Sequence, residues 1–393
     1  MSAGASETRV YVAGLRGIPH VMGGVETHCQ EIYTRIADRN PSLTINILAR
    51  SNHVGRDSYV YRNIPVISLP TISSVYFEAI ASTFLSLVYA WRHKADILHI
   101  HAIGPALLAP LAKILGMQVV VTHHGEDYAR EKWGPISRFM LRLGERSALI
   151  FADRVIAVSP SIASRLKLEY KKASRRVEYI PNGAPDFRAH LGSPERVVNS
   201  LGLETNGFFL GVGRLVPEKE FHTLIDAFIK ARQDLPDVKL VIAGDTDFPS
   251  AYAERLRNRA DDTIIFLGKQ QSSILAALYY CSRCFILPSS HEALAIVALE
   301  AVACGASVIA SDITANRNFS LPNECYFQLG DADQLASLLK DVPILPSEAK
   351  TEILKAFSWD RSASQTLQIY MEIAAQTKLA ESQIQSTENS QLI

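Results

Sequence analysis

Short apolar runs alternate with helical stripes along this chain, and the pattern occurs twice. RVYVAGL (9–15) is followed by VETHCQEIYTRIADR (25–39), whose apolar positions 25, 29, 32, 33, 36 and 37 recur at helical spacing. Further strands are expected at 43–49, 95–102, 118–124 and 154–159, with helices at 75–92, 105–115, 135–150 and 160–167. A polar stretch near 188–196 interrupts the pattern, which then restarts. Strands are expected at 207–214, 238–245, 263–269, 284–290 and 306–311, and helices near 219–233, 250–260, 271–280, 294–303 and 331–340. Apolar strands separated by helices imply parallel sheets with right-handed crossovers. The expected class is α/β, as two consecutive doubly wound units with ligands at the strand C-terminal ends. A length of 393 residues fits two cores better than one.

Composition narrows the function classes. With 48% hydrophobic and 20% charged residues the chain is globular. Its five cysteines are odd in number and sit mostly in apolar runs, which favours reduced thiols and a cytoplasmic setting. Cys281 and Cys284 form a lone CxxC without a second pair, so a buried strand edge is expected rather than zinc or redox chemistry. MSAGASETRV lacks the features of a signal peptide. ISSVYFEAIASTFLSLVYAW (72–91) has the length of a membrane span, but Glu78 and its serines point to a mostly buried helix, one that would line an apolar acceptor groove. Residues 1–190 carry a net charge of +8 and residues 191–393 a net charge of −8. Arg138, Arg142 and Arg146 repeat at helical spacing beside Phe139, Met140 and Leu143, a surface suited either to solvent or to anionic lipid. No nucleic-acid motif is present.

Four stretches carry chemistry. In LPSSHEALAIVALEAVACG (287–305), Glu292 precedes a helix expected to start near Leu294, and Glu300 lies inside it. Ala293 and Ala295 offer no capping oxygen, which leaves the first-turn N–H groups available to an anion. Each glutamate is suited to a pair of sugar hydroxyls, so phosphates flanked by two polyols, a nucleotide-sugar, fit this stretch. An ordinary helix with one exposed and one capping Glu also fits it. In GLRGIPHVMGGVETH (14–28), Gly23-Gly24 permits close backbone approach to phosphate, or simply a tight turn. In GVGRLVPEKEFHTLIDAF (211–228), Arg214 and Lys219 bracket a turn at a strand end just before a helix, as diphosphate ligands or as surface charge. In THHGEDYAREKW (122–133), His123 or His124 is placed to meet a sugar hydroxyl, the other being structural. His99 and His101 alternate in LHIHA, and only one of them is expected to face a ligand.

Together, GGVE (23–26), THHG (122–125), IPNG (180–183), GRLVPEK (213–219), AGD (243–245) and HEALAIVALEAVACG (291–305) resemble the retaining GT-B glycosyltransferases of family four. FSWDRSASQTLQIY (357–370) is similar to that family's closing helix. The resemblance implies two Rossmann-like domains facing a cleft. Residues 1–188 would form the acceptor side and 189–355 the nucleotide-sugar side, with a closing helix at 356–378 packing back on the first domain and a disordered tail at 379–393. Gly23 and Gly24 would bind the donor diphosphate, Arg214 and Lys219 would neutralise it, and Glu300 would hold the ribose. Glu292 would hold the transferred sugar, and His124 would sit beside its anomeric carbon. Phe266 and Lys269 would touch the base, while Ala293, Leu294, Ala295 and Ile296 complete the donor site. Glu26 and His101 fall on the acceptor side. The leaving phosphate would take the acceptor proton on the same face, so configuration is retained without metal or cofactor. A UDP-sugar is favoured over a GDP-sugar as donor, and a lipid-linked saccharide as acceptor, with the protein peripheral on the inner membrane face. Ala293 and Ala295 stand where the family has Gly, or Gly or Pro. If the glycine adopts positive φ, alanine costs on the order of 1 kcal/mol. A nucleotide-sugar epimerase of the same architecture, a nicotinamide dehydrogenase and a non-catalytic nucleotide-sugar binder remain alternatives, although the dehydrogenase lacks its G-x-G-x-x-G fingerprint.

Overall fold

The computed structural model describes residues 8–19, 21, 23–71, 78–129, 133–185, 187, 192–246 and 250–391, with side chains to residue 379. The chain divides into two compact units: residues 1–182 with 359–393, and residues 183–358. The first division falls six residues before the expected boundary at 188/189.

The first unit is built on β1 (Thr8–Ala13), β2 (Leu43–Arg50), β3 (Tyr59–Tyr61), β4 (Ile64–Leu69), β5 (Ile97–His101), β6 (Gln118–His123), β7 (Arg154–Ala157) and β8 (Val177–Tyr179). Their order is β3-β4-β2-β1-β5-β6-β7-β8, parallel throughout except for the β3–β4 pair. Chain order reverses between β1 and β5, and the strand ends Ala13 and His101 lie at that point. Ligands of doubly wound sheets bind at such a switch point. The β3–β4 hairpin was not anticipated, because Tyr59–Tyr61 is too short to show a period.

The second unit holds β9 (Phe208–Val212), β10 (Lys239–Ala243), β11 (Ile264–Gly268), β12 (Cys284–Leu287), β13 (Val308–Ser311) and β14 (Tyr326–Phe327). Its order is β11-β10-β9-β12-β13-β14, all parallel, with the reversal between β9 and β12. All of β9 and β12 is buried, as strands covered on both faces require. Phe209, Phe228 and Leu240 belong to one apolar layer of the unit and Phe208, Tyr279 and Phe285 to the other.

Three expectations change. The helix Trp359–Gln391 continues through the segment expected to be a disordered tail. AESQIQSTENSQ is polar but contains neither Gly nor Pro, so nothing in it forbids helical backbone. In the 72–91 segment, residues 72–77 lie outside the described residues, and the helix Glu78–Arg92 is not mostly buried. It turns Ser82, Thr83, Ser86, Leu87 and Ala90 inward while Phe84 and Trp91 are exposed. Its hydroxyls are buried at little cost because they donate to carbonyls one turn back, such as Thr83 to Ala79 and Ser86 to Ser82. On the helix Pro135–Phe151, Arg142 and Arg146 are exposed beside Ile136, Phe139 and Leu143, but Arg138 is partly buried. Among the described residues, no helix is long and apolar enough to cross a membrane.

Candidate active site

Each unit concentrates polar side chains at its own switch point, and the two collections differ in kind. In the first unit, β1 runs into Gly14, whose φ of +92° no other residue type adopts comfortably. A Cβ there would fall 2.3 Å from the His101 carbonyl oxygen, so the turn passes directly over the end of β5. The helix Gly24–Arg39 then begins without a side-chain cap at Gly23. Glu26, in its first turn, is 5% exposed and accepts from the Arg16 backbone N–H at 3.1 Å, from Nε at 3.0 Å and from Nη2 at 3.1 Å. A Cβ on Gly23 would lie 2.1 Å from the Glu26 carboxylate and 2.4 Å from the Arg16 guanidinium. Gly23 is therefore required by this ion pair, and the Glu26 carboxylate is engaged by Arg16.

Beside it lies a histidine array. His99 and His101 are both fully buried and their rings stack with centroids 4.4 Å apart. The expectation that only one of them faces a ligand fails, because side chains two residues apart on a strand share a face. The Tyr33 hydroxyl lies 2.9 Å from His99 Nδ1 and 2.6 Å from His101 Nε2. His99 Nε2 meets Thr122 Oγ1 at 2.7 Å, its Nδ1 also meets the Tyr370 hydroxyl at 2.5 Å, and His101 Nδ1 meets His124 Nε2 at 2.9 Å. The Tyr370 hydroxyl reaches Tyr33 at 3.4 Å. One proton assignment, inferred from partner accounting, satisfies every contact. Thr122 donates to His99, His99 Nδ1–H to the two tyrosine oxygens, Tyr370 to Tyr33, Tyr33 to His101 Nε2, and His101 Nδ1–H to His124. His28 completes the array: its Nδ1 lies 2.8 Å from Asn182 Oδ1, which only accepts, so Nδ1 carries the proton. Its ring meets His124 edge-on at 4.8 Å between centroids. Burial lowers His28 to about 4 against the pull of the Asn182 bond, and burial followed by neighbouring imidazoles holds His99, His101 and His124 well below their usual range. The whole array is neutral at pH 7.

His123, the last residue of β6, and His124, just after it, engage different partners. His123 Nε2 donates to Glu145 at 2.8 Å. Burial would raise the Glu145 carboxyl, but bonds from His123 and Arg165 bring it down to about 2. His123 is the structural member of the pair, and His124 joins the array.

The second unit gathers charge. β9 ends at Val212, and the loop through Gly213 and Arg214 packs on Gly244, where a Cβ would fall 1.9 Å from the Gly213 carbonyl oxygen. Lys219 closes a short 3-10 turn (Pro217–Lys219), and Glu220, in the left-handed region at φ +52°, leads into the helix Phe221–Ala231. The loop after β12 is tied to this turn by the Ser290 N–H, which donates to the Glu218 carbonyl at 2.9 Å. That tie sets Glu292 against Lys219, whose ammonium donates to Glu292 Oε1; the two side chains are 11% and 18% exposed. The helix Ile296–Ala303 starts two residues later than expected, with no side-chain cap at Ala295. Leu294 and Ala295 are buried, whereas Ala293 and Ile296 are partly exposed. Ala295 has φ −76°, and neither alanine is among the seven described non-glycine residues with positive φ, so the expected strain does not arise. Glu300 accepts from the Tyr279 hydroxyl at 2.8 Å, and burial raises its carboxyl to about 7 against that bond. Phe266 is the middle residue of β11 and Lys269 follows its end; β11 is an edge strand two places from β9.

Sequence reasoning did not assign roles to Arg16, His28, Tyr33, Thr122, Asn182, Tyr279 or Tyr370. Asn182 lies within IPNG, Thr122 within THHG, Tyr370 within FSWDRSASQTLQIY, and Arg16 and His28 within GLRGIPHVMGGVETH, so those stretches were a signal for them; Tyr33 and Tyr279 look like ordinary helix residues until the fold juxtaposes them. Among the described residues, the group of ligating side chains that converges closely enough for a metal ion is His28, His101 and His124, each offering one atom within 4.8 Å of the others.

Comparison with known proteins matches each half of the chain to a glycosyltransferase family. The family described as glycosyltransferase family 4 matches residues 22–186, and that described as glycosyl transferases group 1 matches residues 195–350. N-acetyl-alpha-D-glucosaminyl L-malate synthase of Bacillus anthracis is 26% identical over 318 residues, covering 77% of this chain and 81% of that protein. The structure of sucrose-phosphate synthase from Thermosynechococcus elongatus superposes with a TM-score of 0.79 at 22% identity, covering 94% of this chain and 99% of the other. HepE of Anabaena, solved with UDP, superposes with a TM-score of 0.71 at 18% identity over 93% of this chain and all of HepE. The likeness in fold and the two matched family regions agree: this chain is a group 1 glycosyltransferase with the GT-B fold.

Proposed function

We propose that the protein transfers a sugar, with retention of configuration, from a nucleotide-sugar to a saccharide acceptor in polysaccharide or glycoconjugate assembly. The observation that carries this reading is the second-unit cluster, where Lys219 pairs with Glu292 beside the Arg214 loop and the uncapped helix holding Glu300. The turn's cations and the helix's N–H groups suit a diphosphate, whose charge grows as the sugar departs. Glu292 neutralises the Lys219 ammonium before substrate arrives, and exchanging that partner for phosphate frees Glu292 for sugar hydroxyls. Glu300 takes the ribose diol. In the first unit, His124 offers an N–H to a hydroxyl of the transferred sugar, and the Gly24 amide meets the diphosphate. The departing phosphate takes the acceptor proton on the face it leaves, so activity persists in EDTA. UDP is the favoured nucleotide, supported by HepE's binding of UDP. The exposed Ile136, Phe139, Leu143, Arg142 and Arg146 support a cytoplasmic enzyme resting on an anionic membrane and a lipid-linked acceptor.

Melting curves with UDP-, GDP-, ADP- and TDP-sugars test the donor class, since a ligand at 100 times its Kd adds about 2.7 kcal/mol. Stabilisation by a UDP-sugar, followed by transfer giving the donor's anomeric configuration, is expected. No stabilisation by any of the four overturns the reading, and isomerisation of the donor without acceptor replaces it with an epimerase.

A further inference from the structure

We propose that His28, His101 and His124 form a binding site for one divalent transition-metal ion of the zinc type. The three rings come from separate elements, the helix Gly24–Arg39, β5 and the residue after β6, and each brings a nitrogen within 4.8 Å of the others. Two of the rings have a partner on the nitrogen facing away from the site. His28 Nδ1–H is committed to Asn182 Oδ1 at 2.8 Å, which leaves its Nε2 with a lone pair. His101 Nε2 faces the Tyr33 oxygen at 2.6 Å. Protein metal sites hold imidazoles in this way, with the outer N–H bonded so that tautomer and ring direction are fixed.

His101 Nδ1 is free to ligate once its proton moves to Nε2, and the array accommodates that move by reversing its polarity. His101 Nε2–H then donates to Tyr33, Tyr33 to His99 Nδ1, and His99 Nε2–H to the Thr122 oxygen, along the distances already described. The 2.9 Å contact between His101 Nδ1 and His124 Nε2 must open to roughly 3.3 Å for a tetrahedral ion with nitrogen bonds of about 2.0–2.1 Å. Burial favours the neutral rings that ligation needs. A set of three imidazoles without carboxylate selects zinc, cobalt, nickel or copper over magnesium or calcium. The fourth position is left to water. Resting on the proposed role of His124 at the donor sugar, such an ion acts as an inhibitor rather than a cofactor, because widening the 2.9 Å contact to His101 turns the His124 ring and redirects the N–H it offers to the sugar.

Tag-free protein stripped with EDTA and desalted is titrated with Zn2+ against a chromophoric chelator, and with Co2+ by visible absorption. One equivalent of Zn2+ should bind, with the intense visible bands of four-coordinate Co2+. His28→Ala should weaken binding at least tenfold, and Asn182→Ala, which keeps all three rings, by about tenfold through loss of the outer bond. Melting curves check that both variants fold, and Asn182→Ala carries the test if His28→Ala does not. Less than one equivalent bound by the unaltered protein, or equal affinity in the folded variants, overturns the site. Transfer activity is followed in parallel, and Zn2+ should abolish it reversibly with EDTA. Full zinc occupancy with undiminished transfer leaves the metal site standing and removes His124 from the donor site.

Discussion

The two units use one architecture for opposite electrostatic ends. At the first switch point four imidazoles and two tyrosines share hydrogen bonds without carrying charge, and burial keeps them neutral. At the second, Lys219, Glu292 and the Arg214 loop assemble formal charges beside an uncapped helix end. A neutral, hydrogen-bonded array suits directional recognition of hydroxyls. A charged cluster suits a ligand whose negative charge increases during reaction. The difference follows from what each strand end presents: β5 and β6 end in histidines, whereas β9 runs into a cationic turn.

The largest effect should come from breaking the charged side. Arg214→Ala or Lys219→Ala should lower turnover about 100-fold or more, the scale of one lost preorganised charge. Steady-state kinetics that find both variants near normal would remove the diphosphate assignment. The next test splits the two carboxylates. Glu300→Ala should weaken binding of the bare nucleoside diphosphate and of the whole donor alike in calorimetry. Glu292→Ala should spare nucleotide affinity and depress kcat, because a loosely held sugar loses its alignment. The reverse pattern breaks the allocation.

A third measurement sharpens the contrast through pH. The Glu300 carboxyl is raised to about 7 in the folded protein, from an ordinary value near 4.5. The folded state therefore binds more protons than the unfolded state between those values, and stability falls as pH rises through that window. Glu300→Gln should abolish this loss, stabilising the unliganded protein at pH 8 relative to pH 4.5 by on the order of 2 kcal/mol. Denaturant melts at the two pH values check it, and an unchanged pH dependence would contradict the buried carboxyl. The smallest effect per residue concerns the basic helix: neutralising Arg142 or Arg146 should weaken binding to anionic vesicles by about 1 kcal/mol each. Partly buried Arg138 should contribute less. Equal partitioning to neutral and anionic vesicles would end the membrane reading.

The alternation of apolar runs and helical stripes was enough to locate ten of the fourteen strands among the described residues, because both extend over many residues. β3 and β14 span three and two residues, too few to show a period. That Lys219 and Glu292 each follow a strand was legible because the strand ends were legible. Which side chains meet was not, the pairing of Lys219 with Glu292 included. Nothing local in VETHCQEIYTRI marks Tyr33 as the hydroxyl between His99 and His101, and nothing near Tyr279 marks it as the donor to Glu300.

What the sequence by itself determined was the pair of parallel sheets, the loops at their strand ends and the kinds of charge carried there. Those depend on periodicity and on residues within a few positions of each other. Tertiary structure alone decided that Glu26 is spent on Arg16, that His99 and His101 share one face with Tyr33 and Tyr370, and that Ala293 carries no strain. Each of these is a matter of which distant groups meet and which water they exclude. A side chain's protonation and its free lone pairs follow from that enclosure, and only the folded chain supplies it.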